Sequence, residues 1–134
     1  MGKQQVYTGT PTSRRFALCP TTVVQDDAVL IGDQPAFALT SYSSLTGGAV
    51  FCFNGTWKAA VVAAAYLSPP VNAAINPGDK LAAVGTLDAT TNVTTGLRIF
   101  KGVSGTEGTP FGCLDPTDAV ILSGATNTAA LVKI

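Results

Sequence analysis

The chain contains no histidine, so it lacks the side chain that most often serves as a general base near neutral pH. Ser-His-Asp and Cys-His arrangements are thereby excluded. A Ser-Lys or Cys-Lys pair is what remains for nucleophilic chemistry, and it needs a lysine of depressed pKa beside the nucleophile. Lys58, Lys80 and Lys101 have no such signature around them. Glu107, the only glutamate, sits in a Gly-rich stretch, and neither Asp88-Ala-Thr nor Asp115-Pro-Thr has the Asp-Thr/Ser-Gly form of an aspartic-protease dyad. Paired-carboxylate catalysis therefore has little support. The expectation is a protein with no catalytic centre and no cofactor.

Metal and phosphate chemistry fare no better. Cys19, Cys52 and Cys113 are odd in number and widely spaced, with no Cys-x-x-Cys pair, a pattern of incidental thiols packed as small hydrophobes. The acidic turn Asp26-Asp27 could hold a hard cation, but a bare pair without further oxygen ligands reads as a solvated turn. Gly102-Val-Ser-Gly-Thr-Glu-Gly108 superficially resembles a phosphate loop, yet it lacks the Lys-Ser/Thr ending and a following helix. The sequons at Asn54 and Asn92 read as turn residues in a chain with no secretory signal.

Composition bounds the rest. The 134 residues suit one domain, and Lys plus Arg balance Asp plus Glu at eight each, which removes the positive field that nonspecific nucleic-acid binding depends on. No run approaches the roughly 18 apolar residues that span a bilayer. Neither nucleic acid nor a membrane is expected as a partner, and synthesis is expected in the cytoplasm. Charged residues make up only 12%, against the roughly 25% usual for soluble proteins, so part of this surface is expected to be covered by other chains.

The elements that must position any site read as strands. Short runs of Val, Ile, Leu, Phe and Thr lie between Gly, Pro, Asn and Asp, the composition of strands bounded by turns. Strands are predicted near residues 22–24, 28–31, 36–40, 49–53, 56–62, 80–84, 97–101, 112–114, 119–122 and 129–134. Asn76-Pro-Gly-Asp79 predicts a tight turn: Pro77 pre-sets φ, Gly78 tolerates φ > 0, and Asp79 can bond its own backbone. Asn54-Gly55 predicts a two-residue hairpin joining its flanking strands. The Ala-rich run from Lys58 to Leu67 could form a short helix, but Val61 and Val62 favour strand for its first half. Residues 86–96 and 102–109 read as flexible connections.

Residues 1–20 stand apart as a polar arm ahead of a 21–134 domain. The arm carries Lys3, Arg14 and Arg15 and no acidic residue. One reading is a frayed terminus. The other is an arm that orders on a partner, with Val6, Tyr7 and Phe16 as apolar anchors and the cations meeting an acidic patch. A truncation starting at Thr21 is expected to keep the fold.

Beyond these local readings, the succession from Val29 to Thr40, Gly48 to Lys58, Ala74 to Leu81, Pro110 to Leu114 and Thr128 to Ile134 resembles, in order and spacing, the capsid decoration (cement) proteins of tailed bacteriophages. Each piece is a generic strand or turn word; the signal is their order across residues 22–134. Ala83 stands where the family often carries an aromatic residue, and Pro110-Phe-Gly replaces an Ile-Gly entry. The resemblance implies a compact β-barrel or β-tulip-like domain, commonly a homotrimer, on the outer capsid surface of the virion. There it would clamp neighbouring subunits of the major capsid protein after head expansion. Lys3, Val6, Tyr7, Arg14, Arg15 and Phe16 are the candidate shell contacts, by strand addition to an exposed edge. Alternatives are another virion component such as a tail or spike-base protein, a small β-barrel hydrolase, or a carbohydrate-binding module using Trp57, Tyr42 and Tyr66.

Overall fold

The computed structural model describes residues 13–63, 74–102 and 108–134. These contain no helix and build one nine-stranded sheet: β1 (Arg14–Leu18), β2 (Ala28–Ile31), β3 (Gln34–Ala38), β4 (Gly48–Cys52), β5 (Thr56–Val62), β6 (Lys80–Asp88), β7 (Val93–Lys101), β8 (Thr109–Leu114) and β9 (Thr128–Lys133). The expected all-β, barrel-like single domain is what forms.

Strand order explains the shape. β7, β5, β9, β8 and β6 follow one another, and β6 pairs back onto β7, which closes a five-stranded ring. A wing of β2, β3, β4 and β1 leaves the same β7. The ring is uneven: β6 and β7 pair along most of their length, whereas β5 meets β7 in parallel at only Val61↔Ile99 and Val62↔Phe100. β7 serves both parts because it is bulged at its centre. Its register with β6 shifts between Val84 and Thr86, where Gly96 takes φ 62° as the first residue of a glycine bulge. Opposite it, a side chain on Gly85 would lie 2.5 Å from the Thr95 carbonyl oxygen. The N-terminal half of β7 thus pairs with β2 and the C-terminal half with β5.

The Asn76–Asp79 turn forms as its residues dictate. Gly78 has φ 87°, Asp79 N donates to Asn76 O at 3.0 Å, and Asn76 N donates to Asp79 Oδ2 at 2.8 Å. The same carboxylate meets Lys101 Nζ at 3.4 Å, which ties the turn to the end of β7.

Two apolar clusters hold the layers together. The larger one joins ring and wing through Phe37, whose ring stacks on Trp57 at 4.9 Å and meets Phe111 edge-on at 5.8 Å. The smaller one lies across the wing and gathers Cys19, Val23, Val29, Ala36, Ala38, Ala49, Phe51 and Val93. Trp57 Nε1 donates to Asn54 O at 2.9 Å, so the indole is buried with its one donor satisfied.

Four expectations are corrected. Asn54-Gly55 does not close a hairpin: β4 pairs with β1 and β3, while β5 pairs with β7 and β9. The turn acts as a corner between wing and ring, because Trp57 and Cys52 both bond Asn54 and send the two strands to different partners. The tight hairpin is Gly32-Asp33, between Ile31 and Gln34. Residues 86–96 are largely strand, with the turn confined to Ala89–Asn92 under the Asp88 carboxylate, which accepts from Thr90 N and Thr91 Oγ1. Residues 22–24 and 119–122 are not strands, since Val23 is buried from a turn and Ile121 makes only a single bridge to Ile75. Finally, the segment from Arg14 to Leu18 belongs to the sheet, and Cys19 is buried in the smaller cluster. The second half of the supposed arm is therefore part of the domain. Residues 64–67 of the possible helix and 103–107 of the second connection, like Lys3, Val6 and Tyr7, lie outside the described residues.

Candidate functional site

Of the six arm residues singled out from the sequence, Arg14, Arg15 and Phe16 fall on β1, and β1 is the last strand of the sheet. Its register with β4 runs from Arg14↔Cys52 to Leu18↔Gly48. Phe53 N donates to Ser13 O at 2.9 Å and Cys19 N donates to Gly47 O at 3.3 Å. Bonded and non-bonded pairs alternate in an antiparallel ladder, so Arg15 and Ala17 turn their amides and carbonyls toward β4. Arg14, Phe16 and Leu18 turn theirs to the free edge.

The side chains follow the same period. Phe16 and Leu18 are 52% and 56% exposed, while Ala17 between them packs on the smaller cluster. The Arg15 guanidinium lies 5.7 Å from the centroid of the Phe53 ring, which keeps it planar over an aromatic face and extended along the edge. Neither arginine forms an ion pair with a described carboxylate. The result, among the described residues, is a short edge with open main-chain bonds, two exposed apolar side chains and two cations. Leu18 was missed by the sequence reading; the alternation Arg14, Phe16, Leu18 about inward Ala17 was the signal that could have found it.

The residues weighed for catalysis are not brought together. Lys101 Nζ contacts Asp79 and Ala74 O, and no described lysine hydrogen-bonds a serine or cysteine. Asp88 caps its turn, and buried Asp115 accepts from Thr117 N and Thr117 Oγ1. Asp27 Oδ2 accepts from Val24 N at 3.0 Å. Among the described residues no three His, Cys, Asp or Glu side chains gather as a metal site. Cys19 and Cys52 are buried, and Cys113 is half-buried, paired across the sheet with Lys80 and Lys133. Burial raises the Cys19 thiol above its ordinary pKa, which makes it an inert packing group. Glu107 lies outside the described residues.

Compared with known proteins, the chain matches no family model, no curated protein and no solved structure.

Proposed function

We propose that the protein is a capsid decoration protein, which binds the outer surface of an expanded phage head as a trimer and fastens neighbouring major capsid subunits. The observation that carries this reading is the β1 edge, which among the described residues has no partner strand on its outer side, with exposed Phe16 and Leu18 and two arginines that no described carboxylate pairs. A fastening protein needs a binding edge rather than a reacting group, because its work is binding free energy spread over several subunits. Binding only the expanded shell shifts the shell's own equilibrium toward that state. Three copies joined together engage their sites at high effective concentration, so a short edge per copy suffices. Arg14 and Arg15 discourage indiscriminate edge-to-edge pairing and favour an acidic strand.

The test is co-sedimentation of the purified protein with empty heads assembled from the major capsid protein of the same phage. The native chain is expected to pellet with the heads, and Phe16→Glu, which leaves the core untouched, is expected to stay in the supernatant. Retention of both proteins in the supernatant with expanded heads contradicts the reading.

A further inference from the structure

The register of β1 decides which side chains a strand laid along its outer edge would meet. Arg14, Phe16 and Leu18 pair with Cys52, Val50 and Gly48, and Arg15 and Ala17 pair with Phe51 and Ala49. Directly paired residues share a face of the sheet. Arg14, Phe16 and Leu18 therefore stand on the face of Val50 and Cys52, which pack in the larger cluster, and Arg15 and Ala17 on the face of Phe51 and Ala49, which pack in the smaller one.

The two ends of the edge differ in chemistry. Arg14 and Arg15 are exposed at its start, and they are the only charged residues in 13–25 and 41–57, the stretches that supply β1, β4 and the turns beside them. No acid or lysine of those stretches offsets the pair. At the other end Phe16 and Leu18 are exposed, and the apolar surface continues toward Leu45, 94% exposed in the turn before β4. Gly47 N donates to Ser43 O at 2.8 Å and Cys19 N donates to Gly47 O at 3.3 Å. A side chain on Gly47 would lie 3.5 Å from Leu18 Cδ2, so this turn is fixed against the end of β1.

An antiparallel guest exchanges both main-chain bonds with each outward residue it faces, whereas a parallel one makes slanted, slightly weaker bonds. The antiparallel residues opposite Arg14, Phe16 and Leu18 lie roughly 5 Å from those side chains, where opposite charges and apolar pairs stabilise and like charges do not. A carboxylate also takes the guanidinium fork with two parallel bonds. No segment of this chain supplies the match. Its one adjacent pair of acids, Asp26-Asp27, follows Gln25 and leads into β2, which already pairs with β3 and β7, and residues 1–12 hold no acid.

We infer that β1 takes an antiparallel strand of another protein with the order apolar, any, apolar, acid, acid from its N-terminus, an inference that rests on β1 being the binding edge of the proposed function. The apolar residues meet Leu18 and Phe16, the acids meet Arg15 and Arg14, and the residue between faces Ala17, which is too small to set a preference. The main-chain bonds give affinity and the alternate side chains give specificity, the mode of strand addition. Apolar residues ahead of the motif pass over Leu45 and add to binding. In the decoration role this is the segment that the shell subunit presents.

The experiment pans a random twelve-residue peptide library on the immobilised full chain and, separately, on the double variant Arg14→Glu, Arg15→Glu. Both positions are exposed, so the variant folds; unchanged thermal melting checks this. The native chain is expected to enrich the order apolar, any, apolar, acid, acid, and the double variant to keep the two apolar positions while replacing the acids by lysine or arginine. Peptides enriched on the native chain are expected to bind Phe16→Glu at least tenfold more weakly. No enrichment over a blank surface, the reverse order of acids before apolar residues, or the same acids enriched on both proteins overturns the inference. If Phe16→Glu dissociates an oligomer of this chain, the edge belongs to a neighbouring copy and the foreign-strand assignment is wrong. No head enters this assay: head binding without the motif overturns this inference alone, and the motif without head binding overturns the decoration role alone.

Discussion

Arg14 and Arg15 are exposed and have no carboxylate partner among the described residues, which leaves their charge to act on a partner. Reversing both to glutamate is expected to weaken head binding at least tenfold and to change stability by only about 0.5 kcal/mol, the range of ordinary surface substitutions. Binding and melting measured on the same preparation check the pair. Trp57 predicts the opposite pattern. It is fully buried and stacked on Phe37, so Trp57→Ala is expected to destabilise the fold by about 3–5 kcal/mol, seen as a lower denaturant midpoint. Cys19 adds a pH dependence. Its folded pKa is raised by burial, so the folded state keeps its proton where the unfolded chain loses it. Stability is therefore unaffected below the ordinary thiol pKa of about 8.5 and falls as pH rises from there through the folded value. Urea midpoints across that range should show the decline, and Cys19→Ala should remove this component of it.

At the scale of elements, β1 decides where the chain can be cut. Removing residues 1–12 leaves β1 paired with β4. Removing residues 1–20 takes away the strand and Cys19, and exposes the β4 edge and the smaller cluster. The shorter truncation is expected to melt like the native protein, and the longer one to melt earlier or aggregate, by circular dichroism and light scattering. The β-type elements were legible because apolar and β-branched runs between turn residues are a local signal: β2 and β5 begin and end where the residues predicted. The Asn76–Asp79 turn was legible for the same reason, as the two bonds that close it, from Asp79 N to Asn76 O and from Asn76 N to Asp79 Oδ2, come from its own residues. Pairing was not legible. Asn54-Gly55 looks like a hairpin turn from its two residues alone, and only the distant partners of β4 and β5 make it a corner. β1 was hidden because Arg14 and Arg15 outweigh Phe16 and Leu18 in any local hydropathy reading, although an edge strand needs only one inward residue in two. The division of β7 between wing and ring was hidden more deeply, since it depends on a bulge opposite Gly85 and on which half of β7 each neighbour meets.

At the scale of the molecule, the described residues form a small closed ring that braces a wing, and β1 is the last strand of that wing. Phe37 and Trp57 pack ring and wing against one another, which holds the β1 end of the sheet in place. With few charges overall, little repulsion opposes packing of copies against one another. The proposed trimer is expected at micromolar concentration in analytical ultracentrifugation. The most direct measurement is occupancy on expanded and unexpanded empty heads, counted after sedimentation of the native chain and the double arginine reversal. The account predicts saturating binding of the native chain to expanded heads only, lost in the reversal. Equal binding to both kinds of head, or full binding by the reversed variant, would contradict it.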